Sequence, residues 1–108
     1  MDTDEKRLLL AKSLEEFRSW TYESLAKEID RTRREHECLQ YRQGVFADGT
    51  EYKLEFNVFW DDRRDGDVRV CGDLTTNPQR PLLGFLPIFA PDVTDSFIMR
   101  YDGTLVDE

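Results

Sequence analysis

The chain has 108 residues, of which 39% are hydrophobic and 35% charged, and its net charge is −8 at pH 7. This length suits one domain with its own core, and the composition is typical of an ordered globule instead of a disordered chain. Because 23 acidic residues outnumber 15 basic ones, the chain would repel phosphate backbones, so we expect no nucleic-acid partner. We therefore predict a single domain over residues 1–108.

The first third of the chain, residues 3–35, contains neither Gly nor Pro and is rich in strong helix formers. Apolar residues recur there at helical spacing, which predicts helices with one apolar face. Thr21 is a suitable N-cap, with Glu23 in the following first turn, so we predict two helices separated by a break at residues 18–21. The apolar stripes are Leu10, Leu14 and Phe17 in the first helix and Tyr22, Leu25 and Ile29 in the second.

Residues 52–60 alternate between apolar and polar side chains, which predicts a half-buried β-strand. The Asp48-Gly49 turn signal precedes it and predicts a hairpin with an earlier strand over residues 38–46. In that earlier strand, Leu39, Tyr41, Gln43 and Val45 would share one face.

Further strands are predicted over residues 68–71 and 97–101, and a last one over 104–106 would close a hairpin around Asp102-Gly103. The resulting fold class is α+β, with two N-terminal helices packed on one face of a four- to five-stranded antiparallel meander sheet.

All four prolines lie between residues 78 and 91, around the apolar run of residues 82–89. Pro87 argues against a central strand, because proline cannot donate to the ladder. The prolines could hold this run as a preordered loop whose apolar side chains point outward and form a protein-binding surface, or the apolar side chains could close the core. The candidate binding residues are Phe85, Leu86, Ile88 and Phe89.

The polar segment of residues 61–67 contains four Asp residues and one Gly, as calcium loops do. Aligning Asp61 as the first ligand, however, places Arg63 where an oxygen ligand belongs and Gly72 where a bidentate Glu belongs. We therefore predict a solvated hairpin loop. Hydrolase, phosphate-loop and dinucleotide motifs are missing from the sequence, so we expect no catalytic residue, no metal and no cofactor.

His36 and Cys38 could form a nucleophilic pair or a metal site if Cys71 and Asp73 came close to them in the fold. The simpler interpretation is two thiols packed as small apolar groups and an exposed His at a helix end. With only two cysteines, the chain is not a disulfide scaffold. The N-terminal residues lack the basic and apolar regions of a signal peptide, so we expect a cytoplasmic location and no membrane association.

The stretch from Phe59-Trp60-Asp61-Asp62 to Cys71-Gly72-Asp73-Leu74-Thr75-Thr76-Asn77-Pro78 resembles segments of small uncharacterised bacterial α+β domain proteins. The resemblance implies a bacterial origin and an α+β fold. It brings no activity and no functional residues.

These observations favour a non-enzymatic protein-interaction domain, and a small acidic inhibitor or immunity-type protein is one concrete form. The contact region would be residues 82–89 with the flanking acidic surface, including Asp73. The partner would be basic, because 13 acidic and only 6 basic residues lie from residue 44 onward. The protein would be a monomer or a homodimer formed by pairing sheet edges. The alternative is a small-molecule binding or catalytic domain with a cleft near Cys71, Asp73 and His36.

Overall fold

The computed structural model describes residues 3–76, 81–82, 86–87 and 92–106. Within these ranges the chain forms two helices followed by strands of an antiparallel sheet, with both helices on one face. The predicted α+β fold class is confirmed. The elements are α1 (Thr3–Arg18), α2 (Tyr22–Glu35), β1 (Gln40–Val45), β2 (Glu51–Trp60), β3 (Val68–Thr76), β4 (Pro81–Leu82), β5 (Leu86–Pro87) and β6 (Val93–Met99).

The break between the helices lies where the sequence predicts it. Thr21 is the N-cap of α2, and its side-chain oxygen accepts a hydrogen bond from the backbone N–H of Ser24. This bond satisfies one of the backbone donors that the first turn of a helix leaves unpaired. At the other end, His36 takes the left-handed conformation with φ 57° and donates its backbone N–H to the Thr32 carbonyl.

The main sheet is a meander in the order β1-β2-β3-β6, with every neighbouring pair antiparallel. The turn between β1 and β2 sets the register of the first hairpin. Phe46 donates its backbone N–H to the Thr50 carbonyl at 2.8 Å, and Gly49 takes φ 91° between them. Glycine reaches this conformation without the steric penalty of a Cβ atom, so the Asp48-Gly49 signal fulfils the role expected from the sequence.

The core lies between the helices and one face of the sheet, and alternate residues of β2 and β3 point into it. Gly72 allows α1 to approach β3 closely, because a Cβ atom there would lie 2.8 Å from Leu10 Cδ1 and 3.0 Å from the Phe56 ring. The fully buried large side chains are Phe17, Phe56, Leu10, Leu14, Leu25, Ile29, Leu74, Met99, Val68 and Val70.

The last two strands of the main sheet differ from their predicted extents. β3 continues past residue 71 to Thr76, and β6 begins at Val93, four residues before the predicted strand. These extensions pair with each other from Cys71 and Ser96 to Leu74 and Val93. Residues of low strand propensity, such as Asp73 and Asp95, therefore become part of the strands because they are paired in the ladder. The predicted strand over residues 104–106 is reduced to one bridge between Leu105 and Met99.

β4 and β5 form a separate two-stranded sheet of two residues each. The chain rejoins the main sheet at Asp92, which accepts hydrogen bonds from the Lys6 ammonium at 2.7 Å and the Thr76 hydroxyl at 2.6 Å. Of the helices that the structure describes, neither is long and apolar enough for a membrane crossing.

Candidate functional site

The face of the sheet opposite the helices, here called the open face, carries the side chains between the core positions of each strand. On β2 these are Lys53, Glu55 and Phe59, which are exposed, and Asn57, which is half-buried. Residues directly opposite each other in a ladder project from the same face. The open face can therefore be mapped in rows across the strands, from the register alone.

One row of the open face joins an aromatic ring to two carboxyl groups. Tyr41 lies opposite Glu55, Glu55 lies opposite Asp73, and Asp73 lies opposite Thr94. Burial raises the pKa of the Asp73 carboxyl, because its central strand limits contact with water. Like charges directly opposite each other destabilise a ladder. In the part of the chain that the structure describes, the side chains of Glu55 and Asp73 accept no hydrogen bond and form no ion pair.

Two apolar side chains of β1 border these carboxyl groups. Tyr41 is 50% exposed and Val45 is 63% exposed. Val45 lies opposite Glu51, so each apolar side chain has a carboxyl group beside it on the neighbouring strand. We call Tyr41, Val45, Glu51, Glu55 and Asp73 the open-face patch. Chemically, the patch can bind a cation between carboxylates while apolar carbon packs beside it.

The sequence predicts that Tyr41 shares a face with Leu39, whereas the structure places Tyr41 on the open face and Leu39 in the core. The cause is the start of β1. Leu39 donates its backbone N–H to the carbonyl of Phe56, the residue that Gln40 opposes. Two residues then face one, as in a β-bulge, and the alternation is interrupted. Leu39 consequently points into the core at 8% exposure, and the expectation that it shares a face with Tyr41 is wrong.

The predicted contact region falls mostly outside the described residues. Phe85, Ile88 and Phe89 lie there, and Leu86 belongs to β5, whose backbone pairing alone is described. The segment from 77 to 91 leaves the sheet after Thr76, opposite Tyr52. That is the same end of the sheet as Val45 and Glu51 of the open-face patch.

The residues of the predicted small-molecule cleft occupy separate elements. Cys71 and Asp73 are half-buried neighbours on the open face of β3, whereas His36 is exposed at the end of α2. Cys38 precedes β1, and β2 lies between β1 and β3, so two strand spacings of about 4.8 Å each separate the regions of Cys38 and Cys71. Both cysteines are half-buried, and neither belongs to a disulfide. The exposed His at a helix end agrees with the simpler interpretation.

Burial raises the pKa of the Cys38 thiol, and the charge of Glu55 raises it further. Such a thiol is less nucleophilic at neutral pH than an ordinary cysteine. Among the described residues, no group of three or more His, Cys, Asp or Glu is placed to hold a metal ion.

The loop of residues 61–67 is an exposed hairpin connection between β2 and β3, as the sequence predicts. Its charges are partly paired: Asp61 binds the Arg69 guanidinium at 2.8 Å, and Arg64 lies 3.7 Å from Asp30. Tyr22 donates its hydroxyl to the Gly66 carbonyl at 2.7 Å, which fixes the loop against α2.

Comparisons with protein-family models, curated proteins and solved structures found no match for this chain. The resemblance to small bacterial proteins and the bacterial origin that it implies stay predictions. The open-face patch therefore has to be interpreted from its own chemistry.

Proposed function

We propose that the protein is a non-enzymatic protein-interaction domain that binds a partner with a basic surface through the open-face patch. The observation that carries the proposal is the row of Tyr41, Glu55 and Asp73 on three adjacent strands. A cytoplasmic location is part of the proposal, and the lack of a disulfide between the two cysteines is consistent with a reducing compartment.

The row favours a cationic side chain because Glu55 and Asp73 lie directly opposite each other. Their Cβ atoms are about 5 Å apart at such positions, so one guanidinium or ammonium group can reach both carboxylates. A cation there would replace carboxylate repulsion with attraction and would favour the ionised form of Asp73. The exposed ring of Tyr41 lies beside this position and offers apolar and cation–π contact to the same partner residue.

The charge of the whole chain supports the same kind of partner. From residue 44 onward the chain has 13 acidic and 6 basic residues, which would steer a basic surface toward the sheet. A small acidic inhibitor or immunity-type protein that masks a basic protein fits this arrangement. Residues 82–89 stay a predicted second part of the contact region, since their segment leaves the sheet beside the patch.

The proposal can be tested with random peptides displayed on phage and selected on the immobilised protein. We expect the selected peptides to be enriched in Arg and Lys and to bind more weakly as salt rises from about 0.05 M to about 0.5 M. The double variant Glu55→Gln with Asp73→Asn should weaken their binding by at least about tenfold, because two charge-assisted contacts are lost.

A matched control removes two negative charges elsewhere. Glu23 and Asp62 are exposed on α2 and on the loop after β2, so the variant Glu23→Gln with Asp62→Asn has the same net charge as the test variant. It should retain most of the affinity. Selected peptides without basic enrichment, or equal losses in both variants, would contradict binding at the open-face patch.

A further inference from the structure

The outer edge of β1 has a regular set of backbone groups directed away from the sheet. The hydrogen bond from the Phe46 N–H to the Thr50 carbonyl identifies a bonded pair of the first hairpin. Bonded pairs alternate along an antiparallel ladder, so Gly44, Arg42 and Gln40 direct their backbone groups toward β2. The intervening residues, Tyr41, Gln43 and Val45, direct their N–H and C=O groups outward.

Nothing in the described part of the chain pairs with this outward side of β1, and β4 and β5 form a sheet of their own. Shallow grooves lie along the strand at both ends: Arg31, Glu37 and Tyr41 help line one, and Gln43 and Glu51 help line the other. Among the described residues, the outward side of β1 from Tyr41 to Val45 is therefore accessible.

Beyond the bulge at Leu39 and Gln40, the edge lacks two features that keep edge strands apart: β1 has no proline, and its outward residues are uncharged. Its one charged side chain, Arg42, is turned to the helix side. There it forms an ion pair with Glu16, and its guanidinium lies 5.5 Å from the centre of the Phe56 ring. Arg42 therefore covers core residues on the helix side and adds no charge to the outward residues of β1.

We infer that a second copy of this chain pairs with β1 in antiparallel orientation, joining two four-stranded sheets into one of eight strands. In this register Gln43 lies on the two-fold axis, opposite Gln43 of the partner subunit. Tyr41 then lies opposite Val45 of the partner subunit. Pairs of an aromatic and a β-branched residue stabilise ladders, and the two-fold axis produces this pair twice. The outward groups of Tyr41, Gln43 and Val45 would form six backbone hydrogen bonds.

The chemistry of the strand selects both this register and this occupant. A shift by two residues in one direction would place Arg42 opposite Arg42 of the partner subunit, and like charges at opposite positions destabilise a ladder. A shift by two in the other direction would place Gly44 opposite Gly44 of the partner subunit and would lose both pairs of Tyr41 with Val45. The edge is neutral although the chain has a net charge of −8, so a basic strand would gain less here than on the open-face patch. The two copies of Glu55, on β2 of each chain, lie about three strand spacings apart across the joint, beyond the screening length.

The interface of one short strand from each chain is small, so we expect a dissociation constant of about 10–100 μM. Sedimentation or light scattering from about 5 μM to about 500 μM should show the mass rising from 12.8 kDa toward twice that value. Gln43→Lys should keep the protein monomeric, because it places two positive charges opposite each other on the axis. A wild type that stays monomeric throughout, or dimerisation unchanged by Gln43→Lys, would overturn the inference.

Cross-linking tests the register without relying on that variant. With Cys38 and Cys71 replaced by Ser, Gln43→Cys should form an intermolecular disulfide at high concentration, since opposite Cα atoms of a bonded pair are about 5.5 Å apart. Lys53→Cys is the matched control, because Lys53 lies on the same row one strand inward and about 14 Å would separate the two copies. Equal cross-linking of both variants would overturn the register. This inference does not depend on the proposed function, since mass and cross-linking do not require the basic partner.

Discussion

The two edges of the main sheet, β1 and β6, differ in how much of the chain covers them. α1 packs along β6, and beyond β6 the chain folds back so that Val106 donates its backbone N–H to the Ile98 carbonyl at 2.9 Å. β6 also exposes a charged residue, Asp95. β1 has neither a covering helix nor an outer partner among the described residues, and its outward side chains are neutral.

The difference shows that exposure and lack of protection are separate properties of an edge strand. Exposed charges and covering segments prevent strands of separate molecules from pairing, and β6 has both. On β1 the only charged side chain, Arg42, is used to cover Phe56 on the helix side. In the described part of the chain, the β6 edge is covered at Ile98 and Met99 and is here called the closed edge, whereas the outer side of β1 has no pairing partner.

The largest effect that we expect comes from substituting a glycine on the helix-facing side of the sheet, and two such glycines can be compared: Gly72 on β3 and Gly44 on β1. Valine at position 72 would clash with buried Leu10 and Phe56, so Gly72→Val should lower the free energy of unfolding by about 2–3 kcal/mol. The atoms nearest to a Cβ atom at Gly44 of β1 would be the hydroxyl oxygen and ring carbons at the end of the Tyr52 side chain. That side chain is half-buried and can rotate away, so Gly44→Val should lower it by less than about 1 kcal/mol.

Urea denaturation of the two variants beside the wild type measures both losses under one set of conditions. Thr75→Val, on the open face of β3, controls for valine in the strand itself. If Gly44→Val lowered the free energy of unfolding as much as Gly72→Val, the helix-facing side of β1 would be packed as tightly as that of β3.

Amide hydrogen exchange can compare the protection of the two edges residue by residue. In dilute protein, the outward N–H groups of Tyr41, Gln43 and Val45 should exchange at least about tenfold faster than the inward N–H of Gly44. The N–H of Val106 should be protected, because it is bonded to β6. Exchange followed by NMR, first at low and then at high protein concentration, measures these rates. Outward amides that are protected in dilute solution would mean that β1 is covered within one chain.

The fold was predictable where local signals agree with tertiary packing. Thr21 follows the first helix and starts the second, and the alternation in β2 is matched by burial of Leu54, Phe56 and Val58. The extent of β6 was not predictable, because Thr94 to Ser96 resemble a loop and become a strand only by pairing with β3.

The candidate site was only partly predictable. Asp73 was singled out from the sequence, but its neighbour Glu55 was not, since that contact depends on the register between β2 and β3. Tyr41 was not recognised as part of the site, because a period of two leaves the choice of face open. The hairpin signal at Asp48-Gly49 could have paired Tyr41 with Glu55, and this pairing would have indicated the open face.

The smallest effect concerns the contact that fastens α1 to the start of β6. Burial of the Asp92 carboxyl opposes its ionisation, but the hydrogen bonds from Lys6 and Thr76 prevail and lower its pKa below the ordinary value of 3.8. Asp92→Asn should therefore lower the free energy of unfolding by about 0.5–1 kcal/mol at pH 7.

A carboxyl group whose pKa is lowered by folding contributes its stabilisation above the unfolded pKa and loses it as the pH falls through the folded pKa. The difference between wild type and Asp92→Asn should thus be constant from pH 7 down to about pH 5 and then shrink in acid. Urea denaturation at several pH values measures it, with Asp62→Asn as the control for an exposed carboxylate. A difference that persisted in strong acid would mean that Asp92 stabilises the protein by packing and not through its charge. The ion pair between Lys6 and Asp92 would then not stabilise the closed edge.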